Sequence, residues 1–164
     1  MRLVSFNIRL GLDSSLEDIA QSLATLQPDV VCLQEVGRNW VMGEPVVMTE
    51  VLGEAVGLPH RLYAPAIHEG AAQYGIAVLS RYPLRLELLE RLPQFQDEPR
   101  VLVEVVVEAP EPILLMTSHV SVIGTERPPQ LVAIQRRYCD RLGCGLPIVL
   151  VGDLNSELES PELG

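Results

Sequence analysis

The side chains best suited to chemistry in this chain stand where apolar runs finish. Asn7 closes the run 2–8, Glu35 the run 29–36 and His119 the run 113–119, while Asp153 and Asn155 follow the run 147–151. Glu35 and Asp153 can supply hard oxygen ligands, and Asn7 and Asn155 neutral amide ones, a set that suits Mg2+ or Mn2+. A magnesium site uses one or two protein carboxylates and leaves room for water and phosphate oxygens. His119, and Arg100 at the head of a later apolar run, can donate hydrogen bonds to phosphate. Each residue alone has a plainer reading: a carboxylate as a turn cap, the histidine as a satisfied structural residue, Arg100 as half of an ion pair. Sites in sheet-based α/β proteins lie just beyond strand ends. Several such residues at successive strand ends therefore point to one cation and one phosphate.

The elements that must position them read from the pattern of apolar residues. The runs 2–8 and 29–36 are short and strand-like, and Val30-Val31-Cys32-Leu33 is apolar on both faces, as a covered central strand requires. Between them Leu16, Ile19, Leu23 and Leu26 recur at helical spacing after Ser14 and Ser15, with Glu17 and Asp18 at capping-box positions and Pro28 as the stop. A second helix is expected over 45–56, ended by Gly57 and Pro59. Strand-like runs follow at 61–66, 75–80, 84–89, 101–109 and 113–119, and β-branched residues crowd 101–107. Pro128 and Pro129 open a last helix with Leu131, Ile134, Tyr138 and Leu142 on one face, closed by Gly143. The run 147–151 is a final strand. Mixed order of this kind predicts packed sheets flanked by helices.

Composition narrows the partners. The 164-residue chain is 48% hydrophobic with a net charge of −10, long enough for one domain with a substantial core. It contains no lysine, and its densest positive cluster, Arg136, Arg137 and Arg141, is interrupted by Asp140. That cluster reads as a solvated helix face. No basic run is present to neutralise a phosphate backbone, so there is no strong nucleic-acid signature. Acidity does not exclude a phosphate substrate, because a bound cation reverses the local field. The apolar runs fall far short of the roughly 20 residues needed to span a membrane. Met1 leads straight into a strand-like run without a secretory leader pattern, and a cytoplasmic location is the expectation. Cys32, Cys139 and Cys144 lack paired zinc-ligand spacing and read as buried or partly buried thiols.

Local words around these residues carry a resemblance. Ser5-Phe6-Asn7-Ile8, Leu33-Gln34-Glu35-Val36, the run from Tyr74-Gly75-Ile76 to Arg81-Tyr82-Pro83, Thr117-Ser118-His119-Val120 and Val151-Gly152-Asp153-Leu154-Asn155 occur in that order. The chain is similar to the endonuclease/exonuclease/phosphatase superfamily, which includes deoxyribonuclease I, apurinic endonucleases, inositol-polyphosphate 5-phosphatases and sphingomyelinases. The resemblance implies an α/β four-layer sandwich of two packed mixed sheets flanked by helices, spanning 1–164 as one domain. It also implies metal-dependent hydrolysis of a phosphodiester or phosphomonoester by in-line water attack, with Mg2+ or Mn2+. Glu35 matches the principal metal ligand, Asn7 a residue supporting metal and phosphate, and His119 a ligand of the scissile phosphate. Asp153 matches the aspartate that orients or deprotonates water, also close to the metal, and Asn155 its phosphate-contacting partner. Tyr74 falls where apurinic endonucleases place a phosphate-contacting tyrosine, and Arg100 where many relatives carry an arginine. Gln34 is expected to support Glu35.

One departure matters. The superfamily's last motif, Ser-Asp-His, has no counterpart between Asn155 and Gly164, and the other histidines, His60 and His68, lie upstream. His68, in the stretch 65–73 near Tyr74, is a lesser candidate for the missing base. The expectation is a chain truncated before its C-terminal strands, with the second sheet incomplete and an unpaired edge open to dimerisation or strand exchange. A phosphoesterase is the first reading. A non-catalytic binding or assembly module that keeps the fold is the alternative. Trp40, in the loop 37–45, either packs or stacks on a substrate.

Overall fold

In the computed structural model, residues 1–157 are described. The chain runs β1 (Leu3–Asn7), a 3-10 turn (Arg9–Gly11), α1 (Leu16–Leu26), β2 (Val30–Arg38), α2 (Met48–Val56), β3 (His60–Glu69), β4 (Ala72–Ser80) and β5 (Leu84–Arg91). It continues through β6 (Val101–Val107), β7 (Ile113–His119), α3 (Arg127–Arg141) and β8 (Ile148–Asp153). Two four-stranded sheets result, ordered β1-β2-β4-β3 and β5-β6-β7-β8. Each holds one parallel pair, β1 with β2 and β7 with β8, and the remaining pairs are antiparallel. Parallel neighbours need a crossover, and α1 and α3 supply it.

Alternation along the strands builds four layers. In β2, Val31 and Leu33 pack beneath α1 and α2 with Leu16, Ile19, Leu23 and Leu52. Val30 and Cys32 face the other way, against Val105, Val107, Ile113 and Leu115 of the second sheet. Leu102 and Met116 then meet Leu131 and Ile134 of α3 on the far side. The two-faced burial expected of 30–33 thus reflects a strand covered by helices on one side and a sheet on the other. Burial pushes the Cys32 thiol up to about 12, so it is an inert core residue. Cys139 and Cys144 are exposed instead.

Several local expectations hold and several shift. Ser15 caps α1, its hydroxyl oxygen accepting from the Asp18 N–H at 3.1 Å. The second helix starts at Met48, not at 45, because 39–47 forms an irregular loop in which Arg38 bridges Val47. Leu26 and Leu142 fall outside the core: Leu26 ends its helix and Leu142 lies beyond the last turn of α3, both exposed.

Of the α3 arginines, Arg136 is exposed as expected, but Arg137 and Arg141 are not a solvated face. Glu104 of β6 is fully buried beneath the helix, and Arg137 and Arg141 both reach its carboxylate, while Arg141 also bridges to Glu87. Two of the three charges in the run thus converge on one buried anion. Sequence pattern misses this because Glu104 stands inside an otherwise apolar β-branched strand.

Among the described residues no strand pairs with the outer edge of β8, whose Ile148, Val149, Leu150 and Val151 are half-buried. Of the stretch between Asn155 and Gly164 that lacks a Ser-Asp-His counterpart, residues 158–164 lie outside the described residues.

Two stability predictions follow from this packing. Arg137→Ala leaves the Glu104 carboxylate buried with one partner fewer and is expected to cost about 3 kcal/mol. Glu104→Leu should cost less, since half-exposed arginines can turn to water. Denaturant titration checks the order, and equal losses would contradict it. Gly152, before Asp153, has φ 148°, and an added Cβ would lie 2.1 Å from the Ser118 carbonyl oxygen. Gly152→Ala is therefore expected to lower stability by about 1–3 kcal/mol through backbone strain alone, with a further loss from the clash, read in the same titration.

Candidate active site

The C-terminal ends of the two parallel pairs meet at one rim. Asn7 ends β1 and lies in register with Gln34. His119 ends β7 and lies in register with Asp153 at the end of β8. Asn7 Nδ2 donates to Glu35 Oε1 at 2.8 Å and to Asp153 Oδ2 at 2.9 Å, joining residues from different sheets. Its Oδ1 accepts from the Arg9 N–H at 3.0 Å, which fixes the rotamer of the amide.

Glu35 is not at a strand end. β2 continues to Arg38, and its pairing with β4 shifts between Leu33 and Val36, so that Gln34 and Glu35 together oppose Ile76. Glu35 takes φ 55° within this bulge. Left-handed backbone is rare for a residue with a side chain, and bulges commonly re-aim side chains at functional sites. The bulge turns Glu35 toward Asn7 while the apolar faces on either side keep their registers. Gln34 does not support Glu35: it is buried and donates to Ser5 Oγ at 3.2 Å.

On the other sheet, His119 Nε2 stands 3.8 Å from Asp153 Oδ2. Burial and the adjacent Arg100 charge push His119 down to about 4, against the opposing pull of Asp153 and Asp97. Asn155, with φ 48°, folds back so that its N–H reaches Asp153 Oδ1 at 3.1 Å and its Nδ2 donates to the Val120 carbonyl at 2.8 Å. One N–H of that amide remains for a ligand.

Arg100 is buried immediately before β6, with Nη1 2.8 Å from His119 Nδ1 and Nη2 2.9 Å from Glu98 Oε1. The Tyr74 hydroxyl donates to the same Glu98 oxygen at 3.3 Å, and burial together with the Glu98 and Glu35 carboxylates drives its pKa far up. Tyr74 therefore stays protonated. Trp40 packs beside it, ring centroids 5.7 Å apart and tilted by 36°, as part of the core under α2. His68 belongs to β3 and pairs with Gln73 across the hairpin.

Sequence reasoning missed the anchors of this inner wall. Glu98, Asp97, Ser121 and Glu126 lie in two connecting loops without periodicity. Ser121 Oγ bonds Asp97, and the Glu126 carboxylate accepts the N–H groups of Gln96 and Asp97. Burial pushes Asp97 up, but its bonds from Ser121 and the Glu98 N–H, with the Arg100 charge, hold its carboxyl below the usual range. The only hint in the sequence is the acidic pair set just before Pro99 and Arg100.

The donor set fits a hard divalent cation. Two carboxylates are brought to one neutral amide with no basic side chain between them, an arrangement that a cation would neutralise. Among the described residues no three His, Cys, Asp or Glu side chains converge as an all-protein cage. A site completed by water and phosphate needs no such cage.

The family pattern described as Endonuclease/Exonuclease/phosphatase family matches residues 4–164. No curated protein matches the chain. Among solved structures, an endonuclease/exonuclease/phosphatase from Beutenbergia cavernae is 24% identical with a TM-score of 0.72, covering 97% of this chain and 50% of its own. A mannosyl-6-phosphatase from Bacteroides thetaiotaomicron is 15% identical with a TM-score of 0.70, covering 98% and 67%. The human Nocturnin catalytic domain, with a bound sulfate, is also 15% identical, with a TM-score of 0.64 and coverage of 98% and 67%. The chain thus spans half the length of the first of these and about two thirds of the others. These likenesses carry the fold, a deoxyribonuclease I-like sandwich of two mixed sheets. No helix among the described residues is long and apolar enough to cross a membrane. The ordered motifs, the two sheets and the matched span together make this chain a member of the endonuclease/exonuclease/phosphatase family.

Proposed function

We propose that the chain carries a phosphoesterase site that works with Mg2+ or Mn2+ and attacks the phosphate ester in line with water. The observation that carries this reading is the Asn7 amide held between Glu35 and Asp153, with His119 against the same Asp153 oxygen. Family membership supports it, because enzymes of this family generally use divalent metals. When bound, the cation would neutralise charge on the phosphate and leaving oxygens, worth several kcal/mol in the transition state.

The chain's own residues supply the rest. Glu35 and Asp153 would hold the cation, and Asn7 orients both carboxylates without adding charge. Asp153 orients the water and takes its proton as the new P–O bond forms and the bond to the leaving oxygen breaks. His119 and the free N–H of Asn155 donate to non-bridging oxygens, which places the phosphate by positioning and charge neutralisation. Tyr74 and Arg100 close the inner wall. The substrate is a phosphodiester or phosphomonoester. One neighbour is named a mannosyl-6-phosphatase, which supports keeping monoesters in view. The net charge of −10 and the absence of lysine speak against a long polyanion.

Hydrolysis of an aryl phosphodiester and an aryl phosphomonoester with Mg2+ or Mn2+ tests the reading. Glu35→Ala and Asp153→Ala should each lower kcat/KM by at least about 100-fold, the scale of losing several kcal/mol of charge stabilisation. Cation binding has its own readout. At a hundred times its Kd, Mn2+ should stabilise the parent by about 2.7 kcal/mol, and Glu35→Ala should lose that shift. Stabilisation by Mn2+ without turnover of any ester would replace the enzyme with a binding module.

A further inference from the structure

From the contacts of Arg100 we infer that it is a positioning residue that locks His119 as a neutral ring with its proton on Nε2. A guanidinium carries five N–H donors and no acceptor, and it is not deprotonated in proteins. Arg100 Nη1 lies 2.8 Å from His119 Nδ1, so that nitrogen must present a lone pair. A proton on Nδ1, in either the other tautomer or the imidazolium, would set N–H against N–H inside the protein. Arg100 is 6% exposed and His119 5%, which leaves neither side chain room to turn away into water. The remaining proton sits on Nε2, the nitrogen 3.8 Å from Asp153 Oδ2 and facing the rim where Asn7 and Asp153 meet.

The surroundings hold Arg100 to this task. Its Nη2 is 2.9 Å from Glu98 Oε1 and 3.7 Å from Asp97 Oδ2, so the buried cation already has two anionic partners. Glu98 is tied to Tyr74 at 3.3 Å, and Asp97 to Ser121. Glu126, buried at the foot of α3, accepts the Asp97 N–H at 2.6 Å and the Gln96 N–H, pinning the loop that carries both acids. With its terminal nitrogens engaged on His119 and Glu98, the guanidinium reaches a phosphate through the imidazole. It polarises the ring so that Nε2–H becomes a stronger donor. That donor role toward a phosphate rests on the phosphoesterase reading. The tautomer does not.

Nitrogen-15 NMR of the full chain labelled at histidine tests the assignment without metal or substrate. His119→Gln identifies the His119 signals by their loss. The parent at neutral pH should show an unprotonated Nδ1 and a protonated Nε2, and Arg100→Lys, which keeps a donor, should preserve that pattern. Arg100→Met should shift the ring toward a mixture of tautomers. A protonated Nδ1 at His119 in the parent overturns the inference, and beyond the His119→Gln assignment spectrum this reading needs no Arg100 variant to fold. Kinetics separate positioning from direct phosphate binding. If Arg100 acts through His119, Arg100→Met combined with His119→Gln loses no more kcat than His119→Gln alone. Multiplying losses would make Arg100 a phosphate ligand in its own right. A parent with the expected tautomer and no turnover would retire the phosphoesterase reading while leaving the tautomer assignment standing.

Discussion

Two carboxylates from different sheets share one amide, and much of the site's construction can be understood as the means of bringing them together. Glu35 and Asp153 would repel each other if they met unaided, and Asn7 offers each an N–H without a charge of its own. The contact joins positions 146 residues apart in the chain, so it exists only if both sheets are packed in the right orientation. That orientation comes from the apolar layer between them, where Val30, Cys32 and Val78 meet Val105, Val107 and Leu115. Each sheet then contributes the end of a parallel pair. Crossover helices place both strands of such a pair in the same direction, and their C-terminal ends consequently come to one side.

Around this contact the chain accepts several uncomfortable local conformations. Glu35 and Asn155 are both in left-handed backbone, and Gly152 adopts a φ that a larger residue would find strained. These positions flank or bear the carboxylates and the Asn155 amide. Strain of this sort persists where surrounding structure over-determines it. Here the ladders on either side of the bulge and the β7–β8 register do so.

Buried charge is handled the same way in two places, with different consequences. Beneath α3, Glu104 is satisfied by Arg137 and Arg141, and the result is attachment of a helix to a sheet. Beside His119, the Arg100 charge is paired with Glu98 and Asp97, and the same kind of balance sets a ring at the rim. In both, a buried ion is tolerable because its partners are fixed by packing and further hydrogen bonds. The second network reaches through Ser121 and Glu126 into the loop after β7, so the inner wall and that loop are one mechanical unit.

The sequence by itself determined the elements and the identity of most of the rim. Apolar alternation, the Ser15 cap and Pro28 mark strands and helix because local sterics and hydrogen bonding act over a few residues. The ordered motifs named Asn7, Glu35, His119, Asp153 and Asn155 because each ends or follows an apolar run. Glu104 and its arginines, the bulge that aims Glu35, and the loop acids that hold Arg100 carried no such signal. A buried glutamate in a β-branched strand looks like a strand residue, and a bulge is defined by a partner strand some 40 positions away. Only the tertiary structure decided these, because ion pairing, register and burial are properties of residues brought together from distant parts of the chain.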